Sequence, residues 1–279
     1  MKALVPPHIA FALFVVLCAP SWLTVPAYAQ DASPWQRDGH SALRLLAGSR
    51  SGTVLLGGVA LQLQPGWKTY WRSPGDSGVP PRFDFSKSDN VEAVTVLWPA
   101  PTKFDDGAGG HSLGYHDQIV LPLRIVTKNA DKPVTLRADV SYAVCEKICI
   151  PVDAKAELAF TSVASTEDAA LFAALDAVPK PANIGDPNPL TIRDVKREGQ
   201  SVVVDVAAPE ARDVSLFVEG PTPDWALPIP APEAHSPPGV KRFSFALDGL
   251  PPGAKPEGAA LKFTLVGADK AYEFNVNLP

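Results

Sequence analysis

Val134-Thr-Leu-Arg-Ala-Asp-Val-Ser-Tyr-Ala-Val-Cys145-Glu-Lys-Ile-Cys149-Ile-Pro-Val-Asp-Ala-Lys-Ala-Glu-Leu-Ala-Phe160 is the stretch from which the fold can be read. Apolar side chains recur at every second residue from Val134 to Val144, and again from Ala154 to Phe160. Period-two alternation is the mark of a strand with one buried face. The two runs flank Cys145 and Cys149, so the segment is expected to turn back as a hairpin. A three-residue loop then sets the cysteines opposite each other, near the ~5.5 Å Cα separation that a disulfide needs. Pro151 stops a helix from running through the pair.

Outward from this hairpin the same alternation returns. Val54 to Gln64, Val91 to Trp98 and Gln118 to Val126 read as strands. Explicit turns separate them: Pro65-Gly66, Pro74-Gly75-Asp76, Asp106-Gly107 and Asn129-Ala-Asp131. One helix is expected, opened by a capping box of Ser165 and Asp168, carried by Ala169 to Ala177 and stopped by Pro179. Pro179 to Pro189 reads as a linker. A second strand-rich block follows, from Leu190 to Val195, Ser201 to Val206, Val214 to Val218, Arg242 to Leu247, Leu261 to Val266 and Ala271 to Val276. Its clearest local signal is the hairpin turn at Arg197-Glu-Gly-Gln200. Thirty prolines in 279 residues is about twice the usual ~5% share, and proline is kept out of helix interiors and central strands. The expectation is an all-β chain of two β-sandwich domains, residues 30–164 and 190–279, joined by a short helix and Pro-rich linker at 165–189.

The amino terminus sets the redox compartment. Lys2, the apolar run Ile9 to Cys18 and the small-x-small site Ala27-Tyr-Ala29 read as an export signal over residues 1–29, cleaved near Ala29. Leu17 is too bulky for the residue that precedes a lipidated cysteine, so Cys18 is expected to leave with the signal. The exported chain is expected in a bacterial periplasm, where thiols oxidise. The full sequence has a formal net charge of −5, one unit more negative once Lys2 leaves with the signal, and its basic residues are scattered, which excludes nucleic acid as an expected partner.

Cys145 and Cys149 are then the only thiols of the mature chain. Closing a loop of about five residues removes only about 2 kcal/mol of chain entropy, against nearly 5 for a 100-residue loop. A fold that needed a staple would tie distant segments together. A short-loop disulfide is also easily strained and so more readily reduced. Lys147 between the sulfurs would favour a thiolate and Glu146 would oppose it. Three uses stay open on the residues alone: electron transfer, a minor structural bond, or a metal site completed by His111 and His116. The cysteine spacing is at the edge of the usual zinc pattern, and no methionine beyond Met1 is present to suit copper(I). No metal or other cofactor is assigned. Gly110-His-Ser-Leu-Gly114 matches the nucleophile elbow of hydrolases, but that motif works only on a strand-to-helix turn, and here a strand-like run follows.

Three stretches together resemble a known family. Tyr142-Ala-Val-Cys-Glu-Lys-Ile-Cys-Ile-Pro151, Trp67-Lys-Thr-Tyr-Trp-Arg-Ser-Pro-Gly-Asp-Ser-Gly78 and Gly114-Tyr-His-Asp-Gln-Ile-Val-Leu-Pro-Leu123 are similar to the N-terminal periplasmic domain of DsbD-type thiol:disulfide interchange proteins. The likeness is strongest to the ScsB-like branch, linked to copper tolerance. It spans roughly residues 40–160, and residues 185–279 look like the extra immunoglobulin-like module of that branch.

The resemblance implies immunoglobulin-like sandwiches and a protein-disulfide reductase activity, with Cys145 and Cys149 as the catalytic residues. By family analogy Cys149 forms the mixed disulfides and Cys145 resolves them. The implied partners are thioredoxin-fold periplasmic proteins. With no transmembrane bundle before Pro279, the electrons are expected from a separate membrane electron-conducting protein. Tyr142 and Tyr115 are candidate aromatic neighbours of the pair, with burial in the core as the simpler role for both. The family's shielding loop carries aromatics where this chain has Ala108-Gly-Gly110, and Phe104 is the candidate replacement. The reading from a different class is a non-catalytic copper-handling or protein-binding sandwich with a minor structural disulfide.

Overall fold

The fold was obtained as a computed structural model that describes residues 30–105, 109–161, 164–208, 213–236 and 239–279. The expected export signal, its Cys18, the turn at Asp106-Gly107 and Ala108 lie outside these residues. Strands dominate the chain, and Asp168–Asp176 forms an α-helix.

The cysteine hairpin forms as expected and further. Val134–Cys145 pairs with Cys149–Phe160 in continuous antiparallel register, from Val134 opposite Phe160 to Cys145 opposite Cys149. The return strand begins five residues before the expected Ala154. It is the outermost strand of its sheet, where Pro151 can turn its missing donor to solvent at no cost to the ladder. Alternation decides which face is buried: Val134, Leu136, Ala138, Val140, Tyr142 and Val144 all enter the core.

That sheet runs in the order Cys149–Phe160, Val134–Cys145, Lys68–Gly75, His111–His116, Thr102–Asp105, with Arg82–Asp84 also paired to Val134–Cys145. Opposite it lies a sheet in the order Gln36–Arg37, Ser41–Ser51, Val54–Leu63, Gln118–Thr127, Val91–Val96. Leu43, Leu45, Leu61 and Leu121 from this sheet meet Val134, Leu136, Val140 and Trp71 from the other in one apolar cluster, the packing of a β-sandwich.

Ser41–Ser51 carries no period-two signal because both of its faces are covered. Leu43 and Leu45 face the sandwich, while Leu46 packs outward with Ala60 against Leu171 of the helix. A Cβ at Gly48 or Gly58 would stand 2.6 or 2.7 Å from the Leu171 methyls, so these glycines make room for the helix. Its start departs from the expected box. The Asp168 carboxylate accepts from the Ser165 N–H at 3.2 Å, as a capping box requires, but the Ser165 hydroxyl accepts from Glu167 N–H at 3.0 Å and donates to the Ala47 carbonyl. The other Asp168 oxygen accepts from Ser49 N–H at 2.8 Å. The cap therefore also fastens the helix to the sheet.

The later block forms two further sheets. One has the order Lys180–Ala182, Ala271–Asn277, Ala260–Val266, Ser215–Glu219, and the other Thr191–Glu198, Ser201–Ala207, Lys241–Ala246, Ala231–Pro232. Ile192, Val204, Phe243, Phe263 and Phe274 build a second cluster between them. The expected hairpin pairs Glu198 with Ser201, and its Gly199 takes φ +63°, a conformation open to glycine without a Cβ penalty. Lys180–Ala182, within the stretch read as a linker, pairs in parallel with Tyr272 to Phe274.

One polar knot ties the first strands to the cysteine hairpin. Asp38 accepts from the N–H groups of His40 and Ser41 and from the Ser41 hydroxyl, and lies 3.4 Å from the Tyr142 hydroxyl. Burial works to raise the Asp38 pKa, but these hydrogen bonds outweigh it and hold the carboxyl below its ordinary 3.8. The folded value being lowered, the stability Asp38 contributes is present above 3.8 and lost as pH falls through the folded value. Urea unfolding between about pH 2 and 6 should show the gap between the wild type and Asp38→Asn shrinking as the pH drops. A gap independent of pH would exclude this role for the carboxylate.

Candidate functional site

Cys145 and Cys149 are joined by a disulfide, with S–S 2.01 Å and Cα–Cα 4.2 Å. The hairpin makes the two sulfurs unequal. Cys145 ends the inner strand and is 2% exposed, whereas Cys149 opens the outermost strand and is exposed. Between them Glu146, Lys147 and Ile148 face solvent, with Ile148 at 67%. An attacking sulfur can therefore reach Cys149, and Cys145 lies beneath.

A hydroxyl stands over both sulfurs. Tyr70 Oη donates to Cys145 Sγ at 2.8 Å and lies 3.2 Å from Cys149 Sγ. Burial of the ring raises the Tyr70 pKa, so the group stays protonated and able to donate. Strand parity explains the placement. Cys145 is paired with Lys68, and Tyr70, two residues on, projects from the same face of the sheet. Gly78 lets the chain close over the ring, since a Cβ there would fall 2.5 Å from Tyr70 Cδ1 and Cε1.

The same parity sends the two expected tyrosines to the other face. Tyr142, three residues before Cys145, shares a 2.8 Å hydrogen bond with Ser41 Oγ, and burial pushes its pKa up to about 12. Tyr115 is paired with Thr69 and donates to the Pro99 carbonyl at 2.8 Å, with burial pushing its pKa up. Both are core residues. Tyr70, which reading the sequence did not single out, takes the place against the sulfurs. Its signal was its two-residue offset from Lys68, visible only once the pairing across strands is known.

The remaining candidates are also placed. Phe104 packs under the Lys68 ammonium, 5.3 Å from the ring centroid, and edge-on to His116 at 6.0 Å. Lys68 donates to Ser112 Oγ at 2.9 Å. Ser112 is 1% exposed within the strand His111–His116, so the G-x-S-x-G stretch presents no nucleophile. His116 Nδ1 lies 2.5 Å from Asp117 Oδ2. Among the described residues no group of three or more His, Cys, Asp or Glu is arranged to hold a metal ion. No described helix is long and apolar enough to cross a membrane.

Fold and site together define an all-β protein of immunoglobulin-like type with a disulfide at the end of a hairpin, one sulfur open and one covered. Residues 46–161 match the family described as thiol:disulfide interchange protein DsbD, N-terminal, and this shows the likeness that the three motifs carry. Both cysteines and Tyr70 fall inside the match. Among solved structures, the N-terminal periplasmic domain of ScsB from Proteus mirabilis is similar over 90% of this chain and 99% of that one, with TM-score 0.72 and 22% identity. The fold is thus shared through both halves. A yeast GGA1 GAE domain aligns to 45% of this chain and 97% of its own at TM-score 0.26 and 11% identity, too distant to inform the site. No curated protein matches the sequence.

Proposed function

We propose that this chain is a periplasmic thiol–disulfide exchange module that relays electrons through Cys145 and Cys149 to oxidised periplasmic proteins. The observation that carries the proposal is the unequal pair, with Cys149 open to attack and Cys145 covered by a hydroxyl donor. The reading divides the chain into an exchange unit at 30–164, a connection at 165–189 and a second sandwich at 190–279.

The chemistry needs only sulfur. A thiolate of a reduced dithiol partner attacks Cys149 Sγ, the Cys145–Cys149 bond breaks, and Cys145 leaves as a thiolate that accepts the Tyr70 hydrogen bond. The partner's second thiol, deprotonated, attacks its own sulfur in the mixed disulfide and releases Cys149. Two electrons have then entered this chain and the partner is a disulfide. In the delivering half-reaction the Cys149 thiolate attacks a substrate disulfide, and Cys145 resolves the product. The donor is expected to be a separate membrane electron-conducting protein and the acceptors thioredoxin-fold proteins.

Reduction potential and exchange rate with a thioredoxin-fold dithiol test the reading. A potential well below about −300 mV with no exchange would make the bond structural. Stoichiometric, Cys145-dependent copper(I) binding without exchange would favour the copper-handling alternative. Tyr70→Phe removes the donor to the leaving sulfur. A hydrogen bond to a charged group is worth about 1.5–3 kcal/mol, so the rate of opening the disulfide should fall about ten- to a hundredfold. Stopped-flow exchange at fixed pH measures this, and an unchanged rate would remove Tyr70 from the chemistry.

A further inference from the structure

The second half of the chain meets the first on the strand that carries Tyr70. Along Lys68–Gly75 the strand ladder is broken. Its pairing with His111–His116 covers Lys68, Thr69 and Tyr70, then resumes only at Gly75. Its pairing with Val134–Cys145 covers only Lys68 and Thr69. The residues just beyond Tyr70 are held instead from the other half.

Trp71 is fully buried, with its ring 6.2 Å from that of Phe217, and Phe217 belongs to the first apolar cluster although its strand lies in the later block. Arg72 Nε lies 3.0 Å from one oxygen of Glu219, and its Nη2 lies 2.7 Å from the other and 2.6 Å from Glu273. The three side chains are 21%, 18% and 21% exposed. The guanidinium also lies 4.5 Å from the Trp71 ring centroid. Lys262, 3.5 Å from Glu273, offsets the second carboxylate. A bidentate guanidinium fork fixes direction as well as charge, so the grip sets the orientation of the strand two residues from the Tyr70 hydroxyl.

We propose that the second half braces the exchange site: Arg72, gripped by Glu219 and Glu273, is a positioning residue that keeps the Tyr70 hydroxyl on the sulfurs of Cys145 and Cys149. The brace rests on the exchange reading above, and it gives the later sandwich a task in the reaction.

A double-mutant cycle in the full chain tests it. Exchange rates with a reduced thioredoxin-fold protein are measured for the wild type, Tyr70→Phe, Arg72→Met and the double variant. Arg72→Met should slow exchange about tenfold, and in the Tyr70→Phe background it should add less than about twofold, because the residue acts through the hydroxyl. Arg72→Lys, which keeps the charge and loses the fork, should restore only part of the rate. If Arg72→Met does not fold, the Glu219→Gln, Glu273→Gln protein keeps the arginine and is read in the same cycle. A wild-type rate in the folded variant, or losses that multiply with Tyr70→Phe, overturns the brace alone. A wild-type chain that exchanges with no dithiol overturns the exchange reading and the brace with it.

Discussion

Replacing Cys145 by serine should produce a protein that partners capture and cannot release. Cys149 is the exposed sulfur, so its thiolate still attacks a partner disulfide. With no second thiol the mixed disulfide persists, visible as a reducible adduct on a non-reducing gel. Cys149→Ser should form no such adduct, because the remaining Cys145 is 2% exposed and lies under the Tyr70 hydroxyl. Turnover should fall to background in both variants. Neither loss would reflect unfolding, since a bond closing about five residues contributes only about 2 kcal/mol in the chain-entropy treatment. Adducts from Cys149→Ser and none from Cys145→Ser would exchange the two roles.

The asymmetry behind that prediction was only partly legible in the sequence. Two cysteines four residues apart, between two alternating runs, lead to the hairpin and to its bond. Which sulfur is covered depends on the strand order, in which Cys149 lies outermost. The covering residue comes from a strand 75 positions earlier. Period-two patterns reveal strands with one wet face, such as Cys149–Phe160, but not Ser41–Ser51, whose outer face is hidden by the helix. The grip of Arg72 on Glu219 spans 147 residues, and no local pattern announces it. Alternation names faces within one strand. Register between distant strands decides which faces meet, and here register chose Tyr70 over Tyr142 and Tyr115.

Trp71→Ala should be the most destabilising single change in this region. The side chain has no solvent exposure and fills the first core where Phe217 enters it, so its removal leaves a cavity that packed sheets on either side cannot close. Such truncations cost about 3–5 kcal/mol, which for a chain of this size lowers Tm by about 6–20 °C. The loss is one of packing, because Trp71 Nε1 has no hydrogen-bond partner among the described residues. Trp71→Phe should therefore cost much less: it gives up volume but also removes a buried donor whose desolvation costs about 1–3 kcal/mol. Urea unfolding of the two variants separates the contributions. A loss below about 1 kcal/mol for Trp71→Ala would mean the site collapses freely, and the contact with Phe217 could not then transmit strain toward Tyr70. A large loss with Trp71→Ala and near-native stability with Trp71→Phe would place the cost in the cavity, at the point where the later sandwich rests on the strand that serves the disulfide.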